Sequence, residues 1–381
     1  MNVYSPATVN SHILKGQWLG QAKARSPEEA VKSLLTIDSG SLPNTCFSLS
    51  LRVKDFNAGA FQQSLRAGKL ARMKGLKGTV QVMPVDLMPA IRTASAPFRE
   101  SRAKALLEGW GIQEDESRRV GGAIIEALDN KEKTLPQIKN SIRQGVSRDL
   151  VRSRGRNKER STNIAVVAAA MWERWELMRG GTGRLPCEDP GRYSLFSGRF
   201  RLDREMSRWE AIKDLAGRYV ASYGPVCAED LAWWLGSTER EVASVLDDGT
   251  FEQIKIEGLT GKFFVLQGET LKHDEPPAKI TMLPADDPCV KAYARRDRFV
   301  PNRYLDRMIT RFGESISTVL IGTTVAGTWH IDREIQGDLV DIEMFGPEAA
   351  TRDGDIEKEA EATGRFFTGE HLPVSISVYR K

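Results

Sequence analysis

The stretch Leu70-Ala-Arg-Met-Lys-Gly-Leu-Lys-Gly-Thr-Val-Gln-Val-Met83 reads as a two-stranded hairpin. Gly75 and Gly78 are turn candidates, and Thr79-Val80-Gln81-Val82 is the return strand. Just before it, a short helix holding Phe61 and Leu65 stops near Gly68. Further upstream, Ser26 is placed as an N-cap, Pro27 sits at the first helical position and Glu29 completes a capping box. Ala30, Val31, Leu34 and Leu35 form that helix's apolar face, which ends at Thr36-Ile37-Asp38-Ser39-Gly40. Another helix-like segment covers residues 11–21. Helices followed by a small hairpin make a winged-helix pattern.

The pattern recurs. Val120, Ile124 and Leu128 mark one helix, and Thr134-Leu-Pro-Gln137 opens a second as a capping box. Ile164, Val167, Met171, Trp175 and Met178 line a third, with Tyr193-Ser-Leu-Phe196 as its wing strand. A third round starts at Trp209, Ile212, Leu215 and Tyr219, breaks at Gly224-Pro225, and adds helices over 231–235 and 239–246 before strands over 251–256 and 262–266. Beyond about Leu271 the chain reads as β-rich, with strand patterns at 319–321, 325–329, 340–345 and 374–379 and a charge-dense stretch at 352–361. The expected fold class is α+β, mainly α: three tandem winged-helix units plus a β-rich C-terminal unit forming a concave DNA-binding scaffold. The expected domains are 1–95, 96–200 (with a basic linker), 201–270 and 271–381.

Composition narrows the function. With 40% hydrophobic and 28% charged residues, the 381-residue chain is globular. No apolar run approaches the ~18 residues of a membrane span. The N-terminus lacks a secretory pattern, and Cys46, Cys187, Cys227 and Cys289 lie far apart without a CxxC pair. Neither a disulfide framework nor a zinc cluster follows, and a cytoplasmic location is expected. Residues 332–381 hold twelve acidic and six basic side chains, so residues 1–331 carry +10 of the total +4. A basic body with an acidic end suits a polyanion partner.

Four segments are similar to the AlkZ/AlkX-type winged-helix DNA glycosylases. Tyr219-Val-Ala-Ser-Tyr-Gly-Pro-Val-Cys-Ala-Glu-Asp-Leu-Ala-Trp-Trp234 resembles that family's "Y-x-x-x-[FY]-G-P-x-x-x-x-D-[LF]-A-W-W" signature. Leu283-Pro284 through Asp287, with Arg295-Arg-Asp-Arg298, resembles its "LLPxFD…RDR" segment. Thr318-Val-Leu-Ile321 with Val325-Ala-Gly-Thr-Trp329 is similar to "PTVLVDGRVVGTW", and the Leu70–Gln81 hairpin to "LVRTWxMRGTLH". The resemblance implies a monofunctional glycosylase that cleaves the base–deoxyribose bond of a modified base in duplex DNA, leaves an abasic site and needs no cofactor or metal; a monomer is expected. Asp287 and Arg298 match family positions and are read here as interdomain ion-pairing residues.

The family's Gln-x-Gln or Gln-x-Asp motif is altered here. Thr36 takes the first position and Asp38 keeps the carboxylate; an ungapped register instead puts Asp38 first and Gly40 second. Either way Asp38 is the ionisable group, and Thr36 and Asp38 are the candidate catalytic residues. Rupture of an N-glycosidic bond builds oxocarbenium-like charge on the sugar, and a carboxylate beneath it can stabilise that charge and orient or deprotonate water. The structural alternative is an Asp-Ser-Gly turn in which Asp38 accepts backbone N–H groups. Candidate DNA-binding residues are Arg72, Lys74, Lys77 and Gln81 on the hairpin and Arg148, Arg152, Arg154, Arg156 and Lys158 in the basic segment. Trp233 and Trp234 read as core, and no histidine is assigned a role. No lysine stands at the motif for Schiff-base chemistry.

The substrate stays divided between a bulky or N-alkylated base (repair) and a hypermodified phage base such as glucosylated hydroxymethylcytosine (anti-phage defence). The competing function is a non-catalytic winged-helix DNA-binding regulator, for which the altered motif argues.

Overall fold

Ser26 caps the helix Pro27–Leu34, its Oγ accepting from Glu29 N–H at 3.2 Å. Glu29 reaches back one residue further than a capping box, to the Arg25 N–H at 2.6 Å. Leu35, at φ 60°, turns the chain out of the helix into the short extended segment Ile37–Asp38. A helix then runs over Leu42–Ser50, started by the Ser41 cap. Its sequence, Leu-Pro-Asn-Thr-Cys-Phe-Ser-Leu-Ser, carries only Leu49 as a strong helix former after Leu42, and burial of Thr45 to Leu49 holds it helical. The structure is a computed structural model describing residues 2–379 except 156, 181–188, 190, 203, 272–278, 312, 335–336 and 347–351. It divides into two units, Met1–Asn57 with Leu215–Lys381, and Ala58–Asp214.

In the first unit the opening helix is Pro6–Gly16, capped by Ser5, five residues earlier than the apolar pattern suggested. The signature segment forms the end of helix Arg208–Tyr223 and the helix Ala228–Leu235. Helix Glu239–Leu246 follows, then the antiparallel pair Phe251–Ile256 and Phe263–Leu266, which Val3–Tyr4 joins in parallel. The C-terminal part is a five-stranded sheet in the order Ile280–Leu283, Thr318–Ile321, Thr324–Glu334, Gly337–Met344, Val374–Val378. Neighbouring strands are antiparallel except the last pair. The charge-dense stretch proves to be a helix, Asp353–Thr368, whose Ile356 and Ala360 are buried in the sheet's core with Met282, Val340 and Ile342. Its polar side chains fall on the opposite face, which is why its composition alone reads as a solvated segment.

In the second unit the expected hairpin is present as Leu70–Lys74 paired with Val80–Pro84. A Cβ at Gly75 would lie 2.1 Å from Gln81 Oε1, so only glycine fits this turn as Gln81 sits. The 22-residue helix Met88–Gly109 was not anticipated; Pro97 inside it hides the helical pattern. Helices Glu114–Leu128, Leu135–Ser141 and Asn163–Glu173 surround a core of Val120, Ile124, Ile138, Ile164 and Val167. The basic segment is not a linker. It is a hairpin, Asp149–Arg154 with Asn157–Thr162, anchored by Leu150 in that core.

Cys227 and Cys289 are buried free thiols, whereas Cys46 is disulfide-bonded. The last differs from the expectation drawn from cysteine spacing, because spacing along the chain does not report proximity in space. Among the described residues no helix is long and apolar enough to cross a membrane.

Candidate functional site

Asp38 stands at the end of the segment that leaves helix Pro27–Leu34, directly before the Ser41 cap of the next helix. Its backbone carbonyl accepts from Thr45 Oγ1 (3.0 Å), tying it to that helix. The carboxylate has two fixed partners. Gly40 N–H donates to Oδ1 at 3.0 Å, the turn contact of the structural alternative, and Lys291 Nζ donates to Oδ2 at 3.0 Å. The side chain is 12% exposed and faces a pocket of about 610 Å3. The turn contact and the place on the pocket lining belong to the same residue.

Asp38, Ser41, Asn44 and Ser48 line the pocket together with Asp286 and Asp287. Thr310, Glu314, Ser315 and Ser317, with Trp329 and His330 from the sheet, are also part of its lining. Ser315 is 1% exposed and its Oγ has no hydrogen-bond partner. The lining is thus rich in hydroxyls and carboxylates. Thr36, the other catalytic candidate, is buried at 4% exposure and is not among the lining residues.

The acids are not left unbalanced. Lys291 Nζ also donates to Asp286 Oδ1 at 2.8 Å, and Ser315 N–H donates to the same oxygen at 3.0 Å. Burial pulls the Lys291 ammonium down, but Asp38 and Asp286 outweigh it, so its pKa lies above the usual lysine value. Asp287 is held bidentately by the fully buried Arg52, at 2.8 and 2.7 Å, and accepts from Ser48 Oγ at 2.6 Å. Arg298 is likewise buried and paired, with Asp230.

Lys291 is the site residue that sequence reasoning missed. It lies 253 residues from Asp38. No local pattern marks it, and only the packing of the signature segment gives it away. Its short helix Pro288–Lys291 is gripped through three consecutive carbonyls. Arg296 Nε donates to Val290 O (3.1 Å), Trp233 Nε1 to Lys291 O (2.8 Å) and Tyr219 Oη to Ala292 O (2.7 Å). Trp234 is buried and stacks on Tyr219, with ring centroids 4.8 Å apart.

The DNA-binding candidates all belong to the second unit. Arg72 is 7% exposed and pairs with Asp189 at 3.0 Å. Lys74 pairs with Glu173 at 3.2 Å and sits 4.7 Å from the Trp172 ring centroid. Lys77 occupies the hairpin turn at φ 54°, and Gln81 Oε1 accepts from Leu76 N–H. Arg148 makes a bidentate bond to Glu116, 2.7 Å at each nitrogen. Arg152 pairs with Glu159 and covers Trp110 at 4.1 Å. Lys158 is exposed on the second hairpin. Arg154 lies on its first strand, and Arg156 falls outside the described residues.

The described site is a concave polar pocket with the paired Asp38 carboxylate on its lining. A family model described as DNA glycosylase AlkZ-like matches residues 31–366, and the chain belongs to the AlkZ-like DNA glycosylase family. The Streptomyces sahachiroi DNA glycosylase AlkZ has a similar structure, with a TM-score of 0.73 at 16% identity, covering 99% of this chain and 100% of that one. No curated protein matches.

Proposed function

We propose that the protein is a monofunctional DNA glycosylase that excises a modified base carrying a bulky polar substituent from duplex DNA, acting as a monomer through its tandem winged-helix units. The observation that carries this reading is Asp38, a largely buried carboxylate on the wall of a pocket of about 610 Å3. A volume of this order accommodates a drug-sized ligand, so a flipped base has room for a large adduct. The hydroxyls of Ser41, Thr310, Ser315 and Ser317 and the Glu314 carboxylate suit a polyhydroxylated adduct, as in glucosylated hydroxymethylcytosine. That substrate would make the role anti-phage defence. The same acids favour a cationic N-alkylated purine, the repair reading.

In the reaction the C1′–N bond breaks with its electron pair leaving on the base. Water oxygen bonds to C1′, and its proton passes to Asp38 and from there to solvent or the departing base. Asp38 also stabilises the positive charge that builds on the sugar. Lys291 does not supply a Schiff-base amine, because its ammonium is held protonated between two carboxylates.

An abasic-site assay tests the proposal. The protein and its Asp38→Asn variant are incubated with unmodified, N-alkylated, crosslinked and glucosylated-hydroxymethylcytosine duplexes, then treated with alkali. Breaks on the glucosylated duplex that the variant loses are the expected result. Breaks confined to the N-alkylated duplex would move the substrate to repair. Sequence-dependent binding with no breaks on any duplex would replace the enzyme by a regulator.

A further inference from the structure

We propose that Lys291 is a positioning residue for base excision: its ammonium, clamped between Asp38 and Asp286, fixes the Asp38 carboxylate in the orientation and charge state that water attack requires. The inference rests on the reading of Asp38 as the catalytic carboxylate and goes beyond it by assigning what makes that carboxylate competent.

The geometry is that of a clamp rather than a surface ion pair. The Lys291 side chain is 15% exposed, and both of its carboxylate partners are within 3.0 Å. A surface lysine gains little from such a pair and pays side-chain entropy to keep it. Here the backbone is immobilised first, by the Arg296, Trp233 and Tyr219 bonds to residues 290–292. The side chain therefore starts from a fixed root. Gly40 N–H holds Asp38 Oδ1 and Lys291 holds Oδ2, so the carboxylate plane is set from both ends.

The charge state follows from what surrounds Asp38. Asp286, Asp287 and Glu314 line the same pocket, with His330 on the sheet side. Arg52 neutralises Asp287. Without Lys291, Asp38 and Asp286 would share one pocket with no cation between them, and their like charges would push the two carboxylates apart. An Asp38 carboxylate turned away from C1′ can neither accept a proton from water nor stabilise the sugar cation.

Two measurements test the role on wild type, Lys291→Met, Lys291→Arg and Asp286→Asn, all in a His330→Asn background so that histidine protonation does not enter. The first is the titration midpoint of the Asp38 carboxyl by carbon NMR in aspartate-labelled free protein, its signal assigned by loss in Asp38→Asn. The second is the single-turnover excision rate against pH on the duplex that the wild type cleaves fastest. Lys291→Met should raise the midpoint and the acidic limb of the rate profile together. Through lost orientation of the carboxylate, the rate near neutrality should fall about ten- to hundredfold while duplex affinity stays within about twofold. Lys291→Arg should restore most of the rate. Asp286→Asn, which removes a negative neighbour and keeps an acceptor for Lys291, should move midpoint and limb down. It keeps the test decisive if Lys291→Met does not fold. An unmoved midpoint in both variants would overturn the role. A midpoint that moves while Asp38→Asn excises at the wild-type rate would instead sink the assignment of Asp38, and the positioning role with it.

Discussion

Replacing Asp287 with Ala should destabilise the first unit far more than a surface substitution. Arg52 and Asp287 have side chains 0% and 1% exposed, and the pair is bidentate at 2.8 and 2.7 Å. Ser48 Oγ and the Cys289 N–H also donate to the Asp287 carboxylate, at 2.6 and 2.9 Å. Deleting the carboxylate leaves a buried guanidinium with backbone and hydroxyl partners but no counter-charge. Breaking one side of such a pair costs about 3–5 kcal/mol. For a unit of this size each kcal/mol lowers Tm by roughly 2–4 °C, so a fall on the order of 10 °C is expected. Arg52→Met should cost a similar amount. The double variant Arg52→Met/Asp287→Ala should be less destabilised than the sum of the two singles, because no charge is left stranded. Thermal melts of the four proteins give the coupling energy directly. Singles that each cost under about 1 kcal/mol, adding without coupling, would refute the reading of this pair as a mutually dependent buried ion pair.

Three other outcomes follow from the geometry. Lys158→Ala, on the exposed hairpin, should reduce the slope of log affinity against log salt by about 0.9 if that lysine meets a phosphate; an unchanged slope removes it from the interface. Lys23 is pulled by burial, with Lys279 and Arg52 adding to the effect, from 10.5 to about 8. A group lowered on folding binds more protons unfolded, so stability should rise between about pH 8 and 10.5, by on the order of 1–2 kcal/mol after discounting for partial exposure, and Lys23→Gln should flatten that rise. Borohydride should trap no covalent protein–DNA adduct during excision; a trapped adduct lost in Lys291→Arg would mean that the clamped ammonium opens and acts as an amine.

The local features were legible where chemistry is local. The caps at Ser26 and Thr134 and the hairpin at 70–84 occur where capping and turn residues place them. The helix Leu42–Ser50 was not legible, because its helicity comes from burial rather than propensity. Helix Met88–Gly109 was hidden by Pro97, and the basic hairpin by charges that read as a solvated linker. At the site, Asp38 stood out as the ionisable residue of an altered motif, yet its partner Lys291 did not. A lysine 253 residues away becomes a neighbour only through the tertiary packing that the Tyr219–Trp234 signature brings about. The signature was readable as core; what that core supports was not.

The division of labour around the pocket has a consequence for altering its selectivity. Asp38, Asp286 and Asp287 are each locked into ion pairs with Lys291 or Arg52, so a change there disturbs the framework of the pocket. Thr310, Glu314 and Ser317 line the same pocket from another segment of the chain. Under the proposed function, a library randomised at those three positions varies the lining while leaving those ion-paired residues in place. Diversification is best confined to these positions and kept out of the aromatic segment 219–234, where a change of one ring would reach the carboxylate through the backbone that the ring supports.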